Sequence, residues 1–159
     1  DGSKIEEGNI ILGLPSSGFH SNGYSLINKI LDIDAPNELL KKLLIPTKIY
    51  VKEVMELLGV CEIKGMAHVT GGGFEENLSR INNNFTMNID KTKWNMPQVF
   101  KEIQSLGDIE EDEMFKVFNC GIGYVLILSK ESASKAIEIN QNLIEIGFVT
   151  KESNKFKFI

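Results

Sequence analysis

The sequence predicts a layered α/β domain with a mixed β-sheet, because segments of strand character alternate along it with segments of helical periodicity. The clearest strand is Gly123–Leu128 (GYVLIL), and a similar apolar run, Asn9–Leu14 (NIILGL), lies near the start. The chain has 159 residues, of which 42% are hydrophobic and 25% charged, so it can bury a core of its own. We therefore expect residues 1–159 to form one domain.

The other strands and helices follow from the spacing of apolar residues and from the turn residues between them. Further strands are expected at Glu62–Val69 and Phe85–Ile89. Helices are expected at Tyr24–Leu31, Pro36–Leu44, Tyr50–Leu58, Phe74–Ile81, Pro97–Leu106 and Glu110–Phe118. A long last helix is expected to end at Gly147, because Ala136, Ile139, Leu143 and Ile146 have helical spacing. The final segment, Phe148–Ile159, is expected to be a hairpin that turns at Ser153–Asn154.

Charge and composition exclude several kinds of partner. The net charge is −5 and the basic residues are scattered, which argues against nucleic acid as the partner. No apolar run is long enough to span a membrane, and no secretory signal precedes the first strand. Cys61 and Cys120 are expected to be buried free thiols, which favours the cytoplasm. Because the chain starts at Asp1 without Met, we expect it to be a fragment or a processed product.

Two polar loops interrupt the alternation of strands and helices, and they share one layout. The first loop is Pro15–Gly23 and the second loop is His68–Gly73 (HVTGGG); each follows a strand, contains a histidine and precedes a helix. Glycine lets a backbone approach a ligand closely, and hydroxyl and amide side chains add hydrogen-bond donors. Free N–H groups at the start of a helix attract anions. The two loops therefore predict a site for a phosphorylated or otherwise anionic small molecule.

A second interpretation stays open on the residues alone, since Gly, Ser and Asn also cap helices and form turns. Glu75 and Glu76 could themselves offset the dipole of the helix after the second loop. Neither loop is a P-loop or a G-x-G-x-x-G dinucleotide motif. No third His or Cys is spaced to complete a zinc site, and the acidic run Asp108–Glu113 is expected to be a solvated helix start. We therefore expect no metal site in this chain.

Four segments in order resemble one enzyme family over nearly the whole chain. They are GLPSSGFHSNGYSL, PTKIYVK, IKGMAHVTGGGFEENLSRI and EMFKVFNCGIGYVLIL. The family is that of the phosphoribosylformylglycinamidine cyclo-ligases, or AIR synthases, and the resemblance covers only their C-terminal half. It implies a three-layer α/β/α sandwich with a mixed β-sheet. Phe19, Phe74 and Cys120 depart from the family pattern, but each is an apolar exchange.

By this resemblance, the full-length enzyme uses ATP and Mg²⁺ to close the imidazole ring of formylglycinamidine ribonucleotide, which gives aminoimidazole ribonucleotide in purine biosynthesis. The resemblance places most of the ATP and Mg²⁺ site, and a homodimer interface, on an N-terminal domain that has no counterpart in this sequence. It implies that residues 1–159 bind the phosphorylated ribose substrate beside that domain. We expect the chain alone to be inactive.

The resemblance also assigns roles to residues of the two loops and of the strand that follows them. His20 and His68, the only two histidines, are candidates for catalysis. The residues expected to bind substrate are Ser17, Gly18, Ser21, Asn22, Gly23, Thr70, Gly71, Gly72, Gly73 and Asn77. Asn119, Gly121 and Gly123 are expected either to line the cleft or to have a structural role.

Two other functions compete with this assignment. One is membership of another ATP-dependent branch of the superfamily, of the formylglycinamide ribonucleotide amidotransferase or selenophosphate synthetase type. The combination of the two loop sequences disfavours it. The other is a non-enzymatic module that binds phosphorylated ligands and keeps only the fold.

Overall fold

The computed structural model describes residues 2–31, 36–82, 84–151 and 156–159. The strands within these ranges are β1 (Ile10–Pro15), β2 (Ile63–His68), β3 (Thr86–Ile89), β4 (Ile122–Leu128), β5 (Ile144–Thr150) and β6 (Phe156–Phe158). The helices are α1 (Tyr24–Ile30), α2 (Asn37–Leu43), α3 (Val51–Leu58), α4 (Gly73–Ser79), α5 (Gln98–Leu106), α6 (Glu111–Val117) and α7 (Lys130–Ile139). A 3-10 turn at Lys91–Lys93 follows β3.

The six strands form one mixed sheet with the order β2-β4-β1-β5-β3-β6. Neighbouring strands are antiparallel except β3 and β6, which are parallel. Strand β4 lies between β1 and β2 and is antiparallel to both. β1 and β2 therefore run in the same direction, and their C-terminal ends lie at the same edge of the sheet.

Side chains of the sheet alternate between two apolar cores, one on each face. Ile11 and Ile127 lie in the first core, which α1, α2, α4, α5 and α6 cover. Leu12 and Leu126 are the sequence neighbours of those residues and lie in the second core, which α3 and α7 cover. The predicted α/β sandwich with a mixed sheet is confirmed.

Most predicted elements are confirmed, with ends that differ by one or two residues. Cys61 and Cys120 are buried and unpaired, as predicted. The acidic run opens α6 with exposed carboxylates in its first turn, where they suit the positive end of the helix dipole. No helix in the described part of the chain is long and apolar enough to cross a membrane.

The predicted long helix ending at Gly147 is wrong, because α7 ends at Ile139. Asn140 is extended, and its side-chain oxygen accepts a hydrogen bond of 3.0 Å from the backbone N–H of Asn142, which forms a turn. The residues that follow, Ile144–Thr150, form strand β5. Apolar residues of a helix, a turn and a strand thus happen to have the spacing expected of one amphipathic helix.

The predicted hairpin over Phe148–Ile159 is also wrong in its pairing. Strand β3 lies between β5 and β6, so the two segments are not neighbours in the sheet. β6 instead pairs in parallel with β3. The predicted turn at Ser153–Asn154 lies outside the described residues.

Gly147 tests whether this segment is a strand. Its backbone pairs with Ile89 of β3, and a Cβ there would overlap the backbone carbonyl of Asn88. We expect Gly147→Ala to lower the free energy of unfolding by about 1–3 kcal/mol, because backbone atoms cannot rotate away from the clash. In a helix the same change would stabilise the protein.

Urea unfolding measures the effect, and Gly59→Ala is the matched control. Gly59 has a helical φ of −70°, and a Cβ there would make only ordinary contact, at 3.4 Å, with the carbonyl of Glu56. We expect this variant to be as stable as the parent or more stable, by up to about 1 kcal/mol. Equal stabilities for the two variants would contradict the strand assignment.

Candidate functional site

The sheet brings the two loops together. The first loop follows the C-terminal end of β1 and the second loop follows that of β2, and these ends lie on either side of the start of β4. A Cβ placed on Gly71 would lie 3.9 Å from the side-chain oxygen of Asn22. Two segments separated by 44 residues of sequence (24–67) therefore form one surface at one edge of the sheet.

Glycines occupy the N-cap positions of both helices, but side-chain capping does not account for the Ser, Asn and Thr residues of the two loops. The N-cap residues of α1 and α4 are Gly23 and Gly72, with φ values of 76° and 86°, and no side chain caps either helix. Left-handed backbone of this kind favours glycine. Asn22 and Thr70 are thus not caps. Since each helix has only seven residues, its dipole adds little to an anion site.

Four aromatic rings from four parts of the chain pack together at the loops. We call this group the ring cluster; it consists of His20, Tyr50, His68 and Tyr124. The centroids of the two imidazoles are 5.7 Å apart, and Tyr50 lies 6.1 Å from His20 and 5.8 Å from His68. The sequence assigned no role to either tyrosine, although Tyr50 belongs to the segment PTKIYVK.

Gly123 provides the space that the ring cluster needs. A Cβ at this position would overlap the hydroxyl of Tyr50 and the imidazole of His20. The Tyr50 hydroxyl donates a hydrogen bond of 3.0 Å to the carbonyl of Pro15, which ties α3 to the start of the first loop. The close packing around Gly123 therefore gives a physical basis to a structural role for this residue.

Buried polar atoms without partners concentrate here. Across the described residues, the buried side-chain nitrogen and oxygen atoms that lack a hydrogen-bond partner are Ser16 Oγ, His20 Nδ1 and His68 Nε2. Leaving such an atom unpaired costs about 1–3 kcal/mol, so each calls for a physical explanation, of which a bound ligand is one. All three belong to the two candidate loops.

The ring cluster is uncharged near neutral pH. Burial lowers the pKa of His20 from 6.5 to about 4, and the nearby His68 and Lys48 add to the shift. Burial also lowers the pKa of His68 and raises the pKa of Tyr124. Burial raises the pKa of Tyr50 as well, with a smaller effect from Glu53.

Hydroxyl groups of the first loop contact the segment that leads into α3. The Ser17 hydroxyl donates a hydrogen bond of 2.8 Å to the carbonyl of Pro46. The hydroxyls of Ser21 and Thr47 lie 3.3 Å apart. Lys48 lies 5.2 Å above the Tyr50 ring and 3.1 Å from the carboxylate of Glu53. The segment PTKIYVK, residues 46–52, thus holds the first loop through side-chain contacts. The sequence alone did not predict this role.

Asn119 and Gly121 hold the other side of the first loop. The buried Asn119 amide donates a hydrogen bond of 2.8 Å to the carbonyl of Gly18, and its oxygen accepts one of 2.9 Å from the N–H of Gly121. Gly121 has a φ of 104°, and its carbonyl accepts a hydrogen bond from the N–H of Ser16. These hydrogen bonds are of the kind expected for a structural role, which is one of the two roles predicted for Asn119 and Gly121.

Asn77, a residue of α4, forms hydrogen bonds with the second loop. Its amide nitrogen lies within hydrogen-bond distance of the carbonyls of Thr70, Gly71 and Gly73, the last at 2.6 Å. Its oxygen accepts from the Thr70 hydroxyl at 3.1 Å. The polar atoms of Asn77 are thus engaged by the second loop, so Asn77 holds this loop in shape.

Negative charge lies against one side of the second loop. The side chain of Glu76 packs over Gly72, where a Cβ would overlap it, and its carboxylate lies 2.9 Å from Arg80. This matches the alternative in which an acidic residue offsets the start of α4. An anion therefore meets less repulsion at the first loop than at Gly72.

An open apolar groove of about 400 Å³ adjoins the ring cluster. Lys48 and three rings of the ring cluster, Tyr50, His68 and Tyr124, contribute to its lining. The rest of the lining is apolar and consists of Ile49, Val51, Val54, Met55, Leu58 and Met66, several of which are exposed. The described residues contain no group of three or more His, Cys, Asp or Glu side chains arranged to hold a metal ion.

Fold and geometry together define an α/β/α sandwich with a candidate ligand site at one edge of its sheet. The family model for AIR synthase related proteins, C-terminal domain, matches residues 6–158. The chain therefore belongs to this family.

Known proteins extend the comparison. The chain is 47% identical over 169 aligned positions to the phosphoribosylformylglycinamidine cyclo-ligase of Clostridium botulinum (strain Langeland), covering 100% of this chain and 50% of that protein. It thus spans about half the length of the curated relatives it matches.

Solved structures share the fold at low sequence identity. A HypE–HypF complex superposes with a TM-score of 0.72 at 20% identity, covering 100% of this chain and 52% of the other. HypE, a hydrogenase maturation protein, in complex with ATP superposes with a TM-score of 0.61 at 18% identity, covering 95% of this chain and 45% of the other.

The buried histidines make stability depend on pH. Since their pKa values are lower in the folded chain, the unfolded state binds more protons once the pH falls below about 6.5. We expect the free energy of unfolding to decrease from pH 6.5 towards pH 4, by at most about 1.4 kcal/mol per pH unit for each histidine. Carboxylates with lowered pKa values, such as Glu6, change the free energy of unfolding only below about pH 4.5.

Urea unfolding at a series of pH values measures this dependence. His20→Asn removes the titrating ring, and Asn tolerates the left-handed backbone at this position, where φ is 58°. We expect its stability to fall less steeply between pH 6.5 and 5 than that of the parent chain. The same slope in both proteins would contradict the lowered pKa of His20.

Proposed function

We propose that residues 1–159 are the substrate-binding, C-terminal domain of an ATP-dependent cyclo-ligase that converts formylglycinamidine ribonucleotide into aminoimidazole ribonucleotide in purine biosynthesis. The observation that carries the proposal is the position of the unpaired atoms of Ser16, His20 and His68. They lie on the two loops that the sheet brings together, in a chain that belongs to the AIR synthase C-terminal domain family.

The first loop is the proposed binding site for the phosphorylated ribose. Its hydroxyl and amide side chains offer donors. A Cβ at Gly18 or Gly23 would have no acidic side chain among its nearest neighbours, whereas a Cβ at Gly72 would overlap Glu76. The second loop, held by Asn77, forms the adjoining wall. Binding in this position would hold the reacting nitrogen near the formyl carbon, and such positioning can supply several kcal/mol of rate enhancement.

ATP and Mg²⁺ are the proposed co-substrate and metal ion of the full-length enzyme, where they supply phosphoryl-transfer chemistry. The likeness to the fold of an ATP-bound HypE supports nucleotide use. The described residues offer no acidic cluster for Mg²⁺. We therefore assign most of the ATP and Mg²⁺ site to the half of the relatives that lies outside the match with this chain.

The proposed partner at the apolar groove is that other, N-terminal half of the relatives. The groove is continuous with the ring cluster through Tyr50, His68 and Tyr124, so a domain seated on it would close the site. Ile49 and Met55 are 80% and 62% exposed, and exposed apolar surface of this extent marks interfaces. A homodimer formed through that half, and a cytoplasmic location consistent with two free thiols, complete the proposal.

The central experiment is a mass-spectrometric assay of product formation from formylglycinamidine ribonucleotide and ATP. The N-terminal half of the Clostridium botulinum relative, produced separately, is added to the chain. Product in the mixture and none from the chain alone is the expected result. Turnover only in parallel mixtures that contain ATP with the substrates of an amidotransferase or of a selenophosphate synthetase, or binding of phosphorylated ligands with no turnover in any mixture, would favour the competing functions.

Asn22 tests the anion site. Asn22→Asp keeps the shape of the side chain but adds a negative charge where the two loops meet. We expect it to weaken the binding of ribose 5-phosphate at least about tenfold by charge repulsion. Calorimetric titration at pH 7.5 measures the affinity.

The matched control is Asn84→Asp. Asn84 is exposed and precedes β3, at the opposite edge of the sheet. The Asn84→Asp variant carries the same added charge far from the loops, so its affinity for ribose 5-phosphate should match that of the parent chain. Equal affinities for all three proteins would contradict an anion site at Asn22.

Met55 tests the partner surface. Met55→Glu places a charge in the apolar groove, so we expect association with the N-terminal half of the Clostridium botulinum relative to weaken at least about tenfold. Leu106→Glu is the control, because Leu106 is 60% exposed and does not line the groove. Calorimetry measures the affinity of each variant for the N-terminal half. An equal loss of affinity in the two variants would contradict the proposed partner, and so would turnover by residues 1–159 alone.

A further inference from the structure

One hydrogen bond determines which nitrogen of His20 carries the proton. The backbone N–H of Ser17 donates to Nε2 of His20 at 3.2 Å. A ring nitrogen that accepts a hydrogen bond has a free lone pair, so the proton of the neutral imidazole must be on Nδ1. Nδ1 is thus a donor, and it is buried without a partner.

The same bond opposes protonation of the ring. In an imidazolium both nitrogens are donors, so a charged His20 would set its Nε2–H against the N–H of Ser17. The ring is 4% exposed, and its neighbours are His68, Tyr50 and the ammonium group of Lys48. None of these groups stabilises a positive charge on His20 as a carboxylate would. The lowered pKa of His20 agrees with this geometry.

The backbone of the first loop keeps the ring in place. His20 has a φ of 58°, a left-handed conformation that is uncommon outside glycine. The loop around it is fixed by Asn119 bonding to Gly18 and by Tyr50 bonding to Pro15. Strained backbone held by its surroundings is frequent at functional sites. The ring is therefore presented in one orientation.

We propose that His20 is held as the neutral Nδ1–H tautomer and serves the site as a hydrogen-bond donor to an oxygen of the bound phosphorylated ribonucleotide, and not as a general base. This inference rests on the proposed function for the identity of the ligand. Neutral imidazoles are known to act in this way on oxygens that gain negative charge. Because Nδ1 is enclosed in the free chain, the ligand reaches it by displacing the rings or loop atoms that cover it.

NMR spectroscopy of the ¹⁵N-labelled chain tests the tautomer directly. Two-bond ¹H–¹⁵N correlations distinguish Nδ1–H, Nε2–H and doubly protonated imidazoles. With only two histidines, His68→Gln leaves the signals of His20 alone, and His20→Asn gives the reciprocal assignment if the first variant fails to fold. The expected result is a single Nδ1–H form at pH 7 that stays neutral at pH 5.5. An Nε2–H form, a mixture of tautomers or an imidazolium at pH 7 would overturn the inference.

Addition of ribose 5-phosphate separates this inference from the proposed function. If the ligand binds and the ring nitrogens of His20 shift along with the loop amides, the donor role is supported. If it binds and shifts the loop amides but leaves the His20 nitrogens unchanged, the donor role is overturned. If saturating ligand shifts no signal, the proposed ribose phosphate site falls, while the tautomer measured in the free chain still decides whether His20 can act as a base.

Discussion

The antiparallel pairing of β4 with both β1 and β2 is the constraint on which the site depends. It makes β1 and β2 run in the same direction, so both of their C-terminal ends lie beside the start of β4. The two loops that follow these strands meet for that reason alone. Gly123, near the start of β4, then leaves room for the ring of His20 and the hydroxyl of Tyr50.

The site is built at a cost in stability. Among the residues that the structure describes, three buried side-chain polar atoms lack partners, and His20 adopts a left-handed backbone. Each feature is unfavourable by about 1–3 kcal/mol in a typical protein. The surrounding contacts offset this cost, since Asn119, Tyr50 and Asn77 hold the two loops through hydrogen bonds to their backbone carbonyls. The chain thus combines loops held in place by hydrogen bonds with buried polar atoms that have no partner in the free chain.

Local sequence patterns predicted strands and helices well where each pattern belonged to one element. The apolar run at Ile122–Leu128 forms a strand, and the periodic segment at Val51–Leu58 forms a helix. The same reasoning failed after Ile139, where apolar residues at helical spacing extend across a turn at Asn140 into β5. It failed again at the C-terminus, because β6 pairs with β3, a strand far away in the sequence. Partners of that kind leave no trace in a local pattern.

The sequence by itself determined the fold class, the two polar loops and the family resemblance, because these depend on residue type and short-range spacing. It also marked His20 and His68 as the histidines of interest. Only the tertiary structure decided that the loops adjoin and that Tyr50 and Tyr124 complete the ring cluster. It alone also identified the Nδ1 atom of His20 as the unpaired donor, through its hydrogen bond with Ser17. The physical reason is that burial and hydrogen bonding depend on neighbours in space, and the pairing of strands in the sheet determines which residues are neighbours.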